Sequence, residues 1–192
     1  MTTLLIVTDI YGRSSHIDEL KVTLPRHFNT IHIISPYTSD DSFDGVEQQR
    51  YQHFIDSIGH DGYKERVADS LRQLKNEPVI VLAFSAGGTA AWRALQENRY
   101  LCQRLIAFYP GQLRHYHQLA PNCPTTILMA AKEQHFDTNL LSGQLNEHSN
   151  VNCQITPWLH GYCNPLSQHF DQQGYQAMLT MLSEFACLST NH

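Results

Sequence analysis

The sequence predicts an α/β protein built on a doubly wound, mostly parallel sheet of about six strands with helices on both faces. Short apolar runs alternate with helically spaced segments along the whole chain. Those runs are rich in branched residues, as strands buried on both faces are. No repeat, low-complexity tract or linker interrupts the alternation, and 192 residues suit a single domain spanning 1–192.

Leu4 to Val7, bounded by Thr2-Thr3 and Thr8-Asp9, form the first strand, and Ile31 to Ile34 the second, stopping at Ser35-Pro36. Pro78 to Phe84 give the clearest strand of the chain. Leu105 to Tyr109, Thr126 to Met129 and Val151 to Trp158 supply three more. Helical spacing runs over His16 to Leu24 and over Tyr63 to Lys75, where Val67, Leu71 and Leu74 share a face. It returns over Ala86 to Gln96 and over Gln172 to Ala186. The stretch from Thr38 to Gly62 lacks a clear period and reads as a long loop with a short helix around Gln48 to Ile55. Loops of that length often cover a site. The polar stretch from Thr138 to Asn150 has room for another short helix.

Composition excludes several functions. The net charge is −5 and no Lys/Arg cluster occurs, whereas nucleic-acid binding needs a basic surface to displace counterions. No apolar run approaches the roughly 18 residues that span a bilayer, and no basic segment precedes a leader-like one. The five cysteines are odd in number and form no Cys-x-x-Cys pair, which favours free thiols in a reducing compartment. A cytoplasmic protein acting on a small molecule is the expectation.

The chemistry-bearing signal is Ala83-Phe84-Ser85-Ala86-Gly87-Gly88, placed where the strongest strand must turn into a helix. A tight strand-to-helix turn crowds its neighbours, so small residues belong there. It lifts a serine hydroxyl above the sheet and sets the next amide toward an oxygen that becomes anionic in acyl transfer. Ala83 stands where the usual Gly-x-Ser-x-Gly pattern has its first glycine. Ser85 also suits a plain helix cap, so the motif needs partners.

A serine nucleophile requires a base and an acid to orient it, in the chain order Ser, acid, His. His160 follows the last strand candidate and precedes Gly161-Tyr162, at a strand edge where functional loops of parallel sheets collect. The acid should leave the preceding strand, and Glu133 and Asp137 both qualify. After the first strand, Asp9-Ile10-Tyr11-Gly12 offers a second oxyanion donor in the Ile10 amide, companion to that of Ala86. Asp9, Tyr11 and Tyr162 become expected pocket residues.

Together these segments resemble the dienelactone hydrolase family within the α/β-hydrolases, along almost the whole chain. Asp9-Ile10-Tyr11-Gly12 looks like the family's Glu-Ile-Phe-Gly loop, and Ser35-Pro36-Tyr37 occupies the place of its Pro-Asp-Leu segment. Ser85-Ala86-Gly87-Gly88 is similar to its nucleophile turn, and Tyr109-Pro110-Gly111 to its Tyr-Tyr-Gly or Tyr-Pro-Gly segment. Pro124 to Glu133 is similar to its Pro-Val-Leu strand leading into Gly-x-x-Asp, which puts Glu133 on the acid with Asp137 as alternative. His160-Gly161-Tyr162 resembles its His-Gly-Phe. The resemblance implies a compact α/β-hydrolase fold; the chain is shorter than most members and shows no sign of an inserted lid domain. The expected reaction is cleavage of a small ester, thioester or lactone through an acyl-enzyme. That reaction requires no cofactor and no metal. Serine in place of the family's alternative cysteine favours ester-like substrates, and Glu133 stands where Asp is usual.

A non-catalytic binding protein of the same fold is the rival reading. A flavodoxin-like nucleotide binder is disfavoured, because Asp9 to Arg13 lack the glycines of a phosphate loop. His115 and His117 could pair on a strand but have no acidic or Cys partner at metal-ligand spacing. Cys163, Trp92 and Tyr100 read as packing residues.

Overall fold

The computed structural model describes residues 2–24, 28–38, 45–74, 76–96 and 102–188. Among them six strands form one fully parallel sheet: β1 (Thr3–Val7), β2 (Thr30–Ile34), β3 (Val79–Phe84), β4 (Cys102–Phe108), β5 (Thr125–Met129) and β6 (Val151–Ile155). Their spatial order is β2-β1-β3-β4-β5-β6. The helices between them are α1 (Ser15–Thr23), α2 (Glu47–Ser57), α3 (Gly59–Gln73), α4 (Ala86–Gln96), α5 (Thr138–Leu145) and α6 (Gln172–Leu188).

Alternation along each strand divides the core in two. In β1, Leu5 and Val7 pack with Val81 and Ala83 of β3 under α3, α4 and α5, through Tyr63, Val67, Leu71, Trp92 and Leu145. Leu4 and Ile6 point the other way, joining Ile80, Leu82 and Phe84 beneath α1 and α6 through Ile17, Leu20, Met178 and Leu182. β1, β3 and β5 are buried throughout, which explains their continuous apolar runs.

The expected strands and the doubly wound architecture are present, with adjusted ends. β6 stops at Ile155, three residues short of the expected Trp158, and Pro157 cannot donate to a ladder. β4 begins earlier, at Cys102. The expected long loop is mostly helical: α2 covers Glu47–Ser57, and α3 starts at Gly59 rather than Tyr63. Only Phe54 of α2 is buried, so the segment shows almost no apolar period. Residues 39–44, Lys75 and Tyr100 lie outside the described residues, while Trp92 is fully buried as expected and donates its indole N–H to the Tyr116 carbonyl at 3.0 Å. Cys102, Cys123, Cys153 and Cys163 are free thiols.

Candidate active site

The strand order reverses at β1, whose neighbours are β2 and β3. Loops leaving β1 and β3 therefore diverge, and the crevice between their carboxyl ends is where sheets of this kind hold ligands. Asp9 to Gly12 follow β1, and Ser85 follows β3.

Ser85 is the single residue between β3 and α4 and adopts φ +48°. This left-handed conformation is strained for a residue with a Cβ and persists only when its surroundings enforce it. The Ser85 amide donates to the Phe108 carbonyl at the end of β4 at 2.9 Å. Ala83 is fully buried, in register with Val7 and Ala107. At Gly87 a Cβ would collide with the carbonyl oxygens of Thr8 and Val7, so α4 can sit on the end of β1 only with glycine there.

His160 lies in the turn after β6, reversed by Gly161 at φ +88°. Its Nε2 is 2.8 Å from Ser85 Oγ, and its Nδ1 is 2.7 Å from Glu133 Oε1. A carboxylate on Nδ1 favours the tautomer protonated there, which leaves the Nε2 lone pair to accept the serine hydroxyl. The Tyr109 ring, with φ +42° at the end of β4, stands 4.9 Å from the imidazole. Asp137 does not meet the histidine. It caps α5, accepting from the amides of Asn139 at 2.8 Å and Leu140 at 3.2 Å. A hydroxyl in such a line can pass its proton to the imidazole while the carboxylate stabilises the resulting cation.

The loop after β1 is fastened at successive residues. Tyr63 Oη donates to the Thr8 carbonyl at 2.8 Å, and Tyr37 Oη to the Ile10 carbonyl at 2.8 Å. The buried Asp9 carboxylate accepts from the Tyr11 amide at 2.9 Å and from Asn164 Nδ2 at 2.7 Å. Neither the Ile10 nor the Ala86 amide has an acceptor among the described residues, and both residues line the crevice. Burial pushes the Asp9 carboxyl up to about 6, against the Asn164 and Tyr11 hydrogen bonds, which hold it down. Burial, with the nearby Glu47 and Asp9 carboxylates, pushes the Tyr11 phenol up to about 12.

The cavity measures about 930 Å³. Ser85, Ala86, Tyr109, Glu133 and His160 line it, as do Asp9, Ile10 and Tyr11. α2 contributes Glu47, Gln48 and Tyr51, so part of the expected loop is a helical wall of the site.

One expectation needs correction, and one disfavoured pairing has no strand to lie on. Tyr162 is not a pocket residue: Gly161 turns the chain inward, and the Tyr162 ring packs 5.2 Å from Tyr109 and 5.1 Å from Trp158 in the core beneath. His115 and His117 do not lie on a strand, because Gly111–His115 is a 3-10 helix, so alternation does not place them side by side. Among the described residues no group of three or more His, Cys, Asp or Glu could hold a metal. Cys163 is buried against Tyr109 and Tyr162, and burial pushes its thiol well up. Sequence reasoning missed Asn164 and Glu47, for which spacing gives no signal. It also gave Tyr109 no place in the pocket, though its position at a strand's carboxyl end offered one.

Comparison with known proteins agrees with this architecture. A protein from Xanthomonas campestris pv. campestris described as a hydrolase of the α/β superfamily superposes with a TM-score of 0.65 over 96% of each chain, at 13% identity. A protein from Thermoplasma acidophilum described as a CIB-like hydrolase gives 0.63 over 94% of this chain and 86% of its own, also at 13%. The chain has the α/β-hydrolase fold. Esterase PE8 matches this fold with a TM-score of 0.56 at 13% identity, over 95% of this chain and 92% of its own. In sequence, the uncharacterized protein YczH of Bacillus subtilis (strain 168) is 22% identical over 185 residues, 95% of this chain and 91% of that one. No family model matches.

Proposed function

We propose that the protein is a serine hydrolase, similar to the dienelactone hydrolases, that cleaves a small ester, thioester or lactone through an acyl-enzyme. The observation that carries this is the hydrogen-bonded line from Ser85 through His160 to Glu133, 2.8 and 2.7 Å long, on the wall of a cavity edged by the Ile10 and Ala86 amides, which have no acceptor among the described residues. Names of the structural neighbours, which include an esterase and hydrolases, are in keeping with it.

Ser85 Oγ attacks the substrate carbonyl as its proton moves to His160 Nε2. Glu133 holds the imidazole by Nδ1 and stabilises the imidazolium. The carbonyl oxygen, now anionic, takes hydrogen bonds from the Ala86 and Ile10 amides, each such donor being worth about 3 kcal/mol. The tetrahedral intermediate collapses, the leaving group takes the proton from His160, and Ser85 carries the acyl group. Water then attacks the acyl carbon, gives its proton to His160, and the proton returns to Ser85 as the acid departs. The cycle draws on these side chains, the substrate and water, with no cofactor. A single domain with free thiols acting on a small molecule suits the cytoplasm.

Hydrolysis of p-nitrophenyl esters of graded acyl length tests the reading. Ser85→Ala and His160→Ala should each lower kcat/KM by about 10⁴-fold or more, with little further loss on combining them. Hydrolysis that survives Ser85→Ala unchanged overturns it.

A further inference from the structure

Beyond the catalytic line, the cavity has an end built for hydrogen bonding. Two buried side-chain atoms there have no hydrogen-bond partner among the described residues: Oε2 of Glu47, the first residue of α2, and Nδ1 of His169, in the loop before α6. Both residues line the cavity. Tyr11 links them: the Glu47 carboxylate acts on its phenol, and the Ser167 hydroxyl, two residues from His169, hydrogen-bonds to it. A buried polar atom without a partner is unfavourable, the more so for a charged group, unless a ligand supplies the missing bond.

Elsewhere on the wall the amides of Gln48, Gln112, Gln134 and Gln168 stand among apolar surface from Ile10, Leu159 and the tyrosine rings. Charge favours a neutral ligand. The Arg50 guanidinium already stands 4.9 Å from the centre of the Tyr11 ring, so a cation would be repelled there. Glu47 and Asp9 would repel an anion, and Arg114 and Lys132 elsewhere on the wall give the cavity no single sign. A hydroxyl is neutral, can donate to the Glu47 carboxylate, and can donate to or accept from the imidazole of His169.

We propose that Glu47 and His169 form a subsite for substrate hydroxyl groups, so that the esters cleaved are those of polyhydroxylated compounds. The inference rests on the hydrolase reading above. Its scale fits, since about 930 Å³ is ample for a polyol ester and generous for a simple acetate.

Two matched pairs of esters test it. Glyceryl monoacetate against propyl acetate places hydroxyls on the leaving alcohol; ethyl 2,3-dihydroxypropanoate against ethyl propanoate places them on the acyl side. Each kcat/KM is divided by the ester's own rate with hydroxide ion, which removes intrinsic reactivity. The wild-type protein should prefer the hydroxylated ester of at least one pair by about tenfold or more, as sites built around a substrate hydroxyl do. Glu47→Ala and His169→Leu should bring that ratio toward one, and Glu47→Gln, which keeps the side chain's shape, should lower it less. Ratios near one for both pairs in the wild type overturn the subsite, as does a preference that survives Glu47→Ala and His169→Leu alike. If no ester is turned over while Ser85 still reacts with a fluorophosphonate, the subsite falls and the hydrolase reading stands. If Ser85 does not react, the hydrolase reading falls and takes the subsite with it.

Discussion

Around Ser85 the neighbours are small and buried: Ala83, Ala86, Gly87 and Gly88 all lie beneath the surface, and a Cβ on Gly87 would strike the backbone of β1. The α2 wall of the same cavity is made differently. Of its eleven residues only Phe54 is buried, and Glu47, Gln48 and Tyr51 reach the cavity from a half-solvated helix. Tight packing holds the Ser85 backbone in a strained conformation that no loose turn would keep. The wall needs only polar groups at its surface, so it can vary with little effect on the core. The proposed nucleophile and its selectivity are thus carried by parts of the molecule under different physical constraints.

Substitutions can sharpen that contrast. The largest effect is expected at the rigid end, where Glu133→Gln removes the charge beside His160 Nδ1. By analogy with other triads it should lower kcat by about 10³–10⁴-fold with KM little changed, measured with a p-nitrophenyl ester. Unchanged kcat would mean that Glu133 does not orient the base.

Asp9 should show itself in stability. Its folded pKa of about 6 lies above the ordinary 3.8, so its contribution to stability is present below about pH 3.8 and is lost as pH rises through about 6. Two pH units correspond to about 3 kcal/mol. The stability of the wild type minus that of Asp9→Asn should therefore fall by about that amount from pH 3.5 to 7.5 in urea titrations. His16 acts in the opposite sense, since burial pushes it down to about 4, which is why the difference between the proteins is the informative quantity. A flat difference would contradict the burial argument.

Gly87→Ala should destabilise by about 1–3 kcal/mol in the same titrations and slow ester hydrolysis, because the backbone atoms it meets cannot give way as a side chain could. Smallest of all, Asp137→Ala removes the α5 cap and should reduce stability by about 1 kcal/mol while leaving ester hydrolysis at the wild-type rate. A large loss of activity there would return Asp137 to consideration as the acid.

The same contrast explains what could be read from the sequence. The strands were legible because burial on both faces requires continuous apolar runs, and the turn at Ser85 because its geometry demands small residues after a strand. Helix α2 is hidden in the sequence, since a helix anchored by Phe54 alone leaves no period. Tyr162 was misplaced because a single left-handed glycine, Gly161, decides whether the next side chain faces the cavity or the core. Asn164 could not be paired with Asp9 from sequence: the two are 155 positions apart and meet only through the fold.

The central claim is that Ser85 is an activated nucleophile, and fluorophosphonate labelling located by peptide mass spectrometry tests it most directly. The account predicts a single stoichiometric adduct on Ser85, lost in Ser85→Ala and slowed at least about a hundredfold in His160→Ala. No adduct on Ser85 in the folded protein, or labelling that His160→Ala leaves as fast as before, would contradict it.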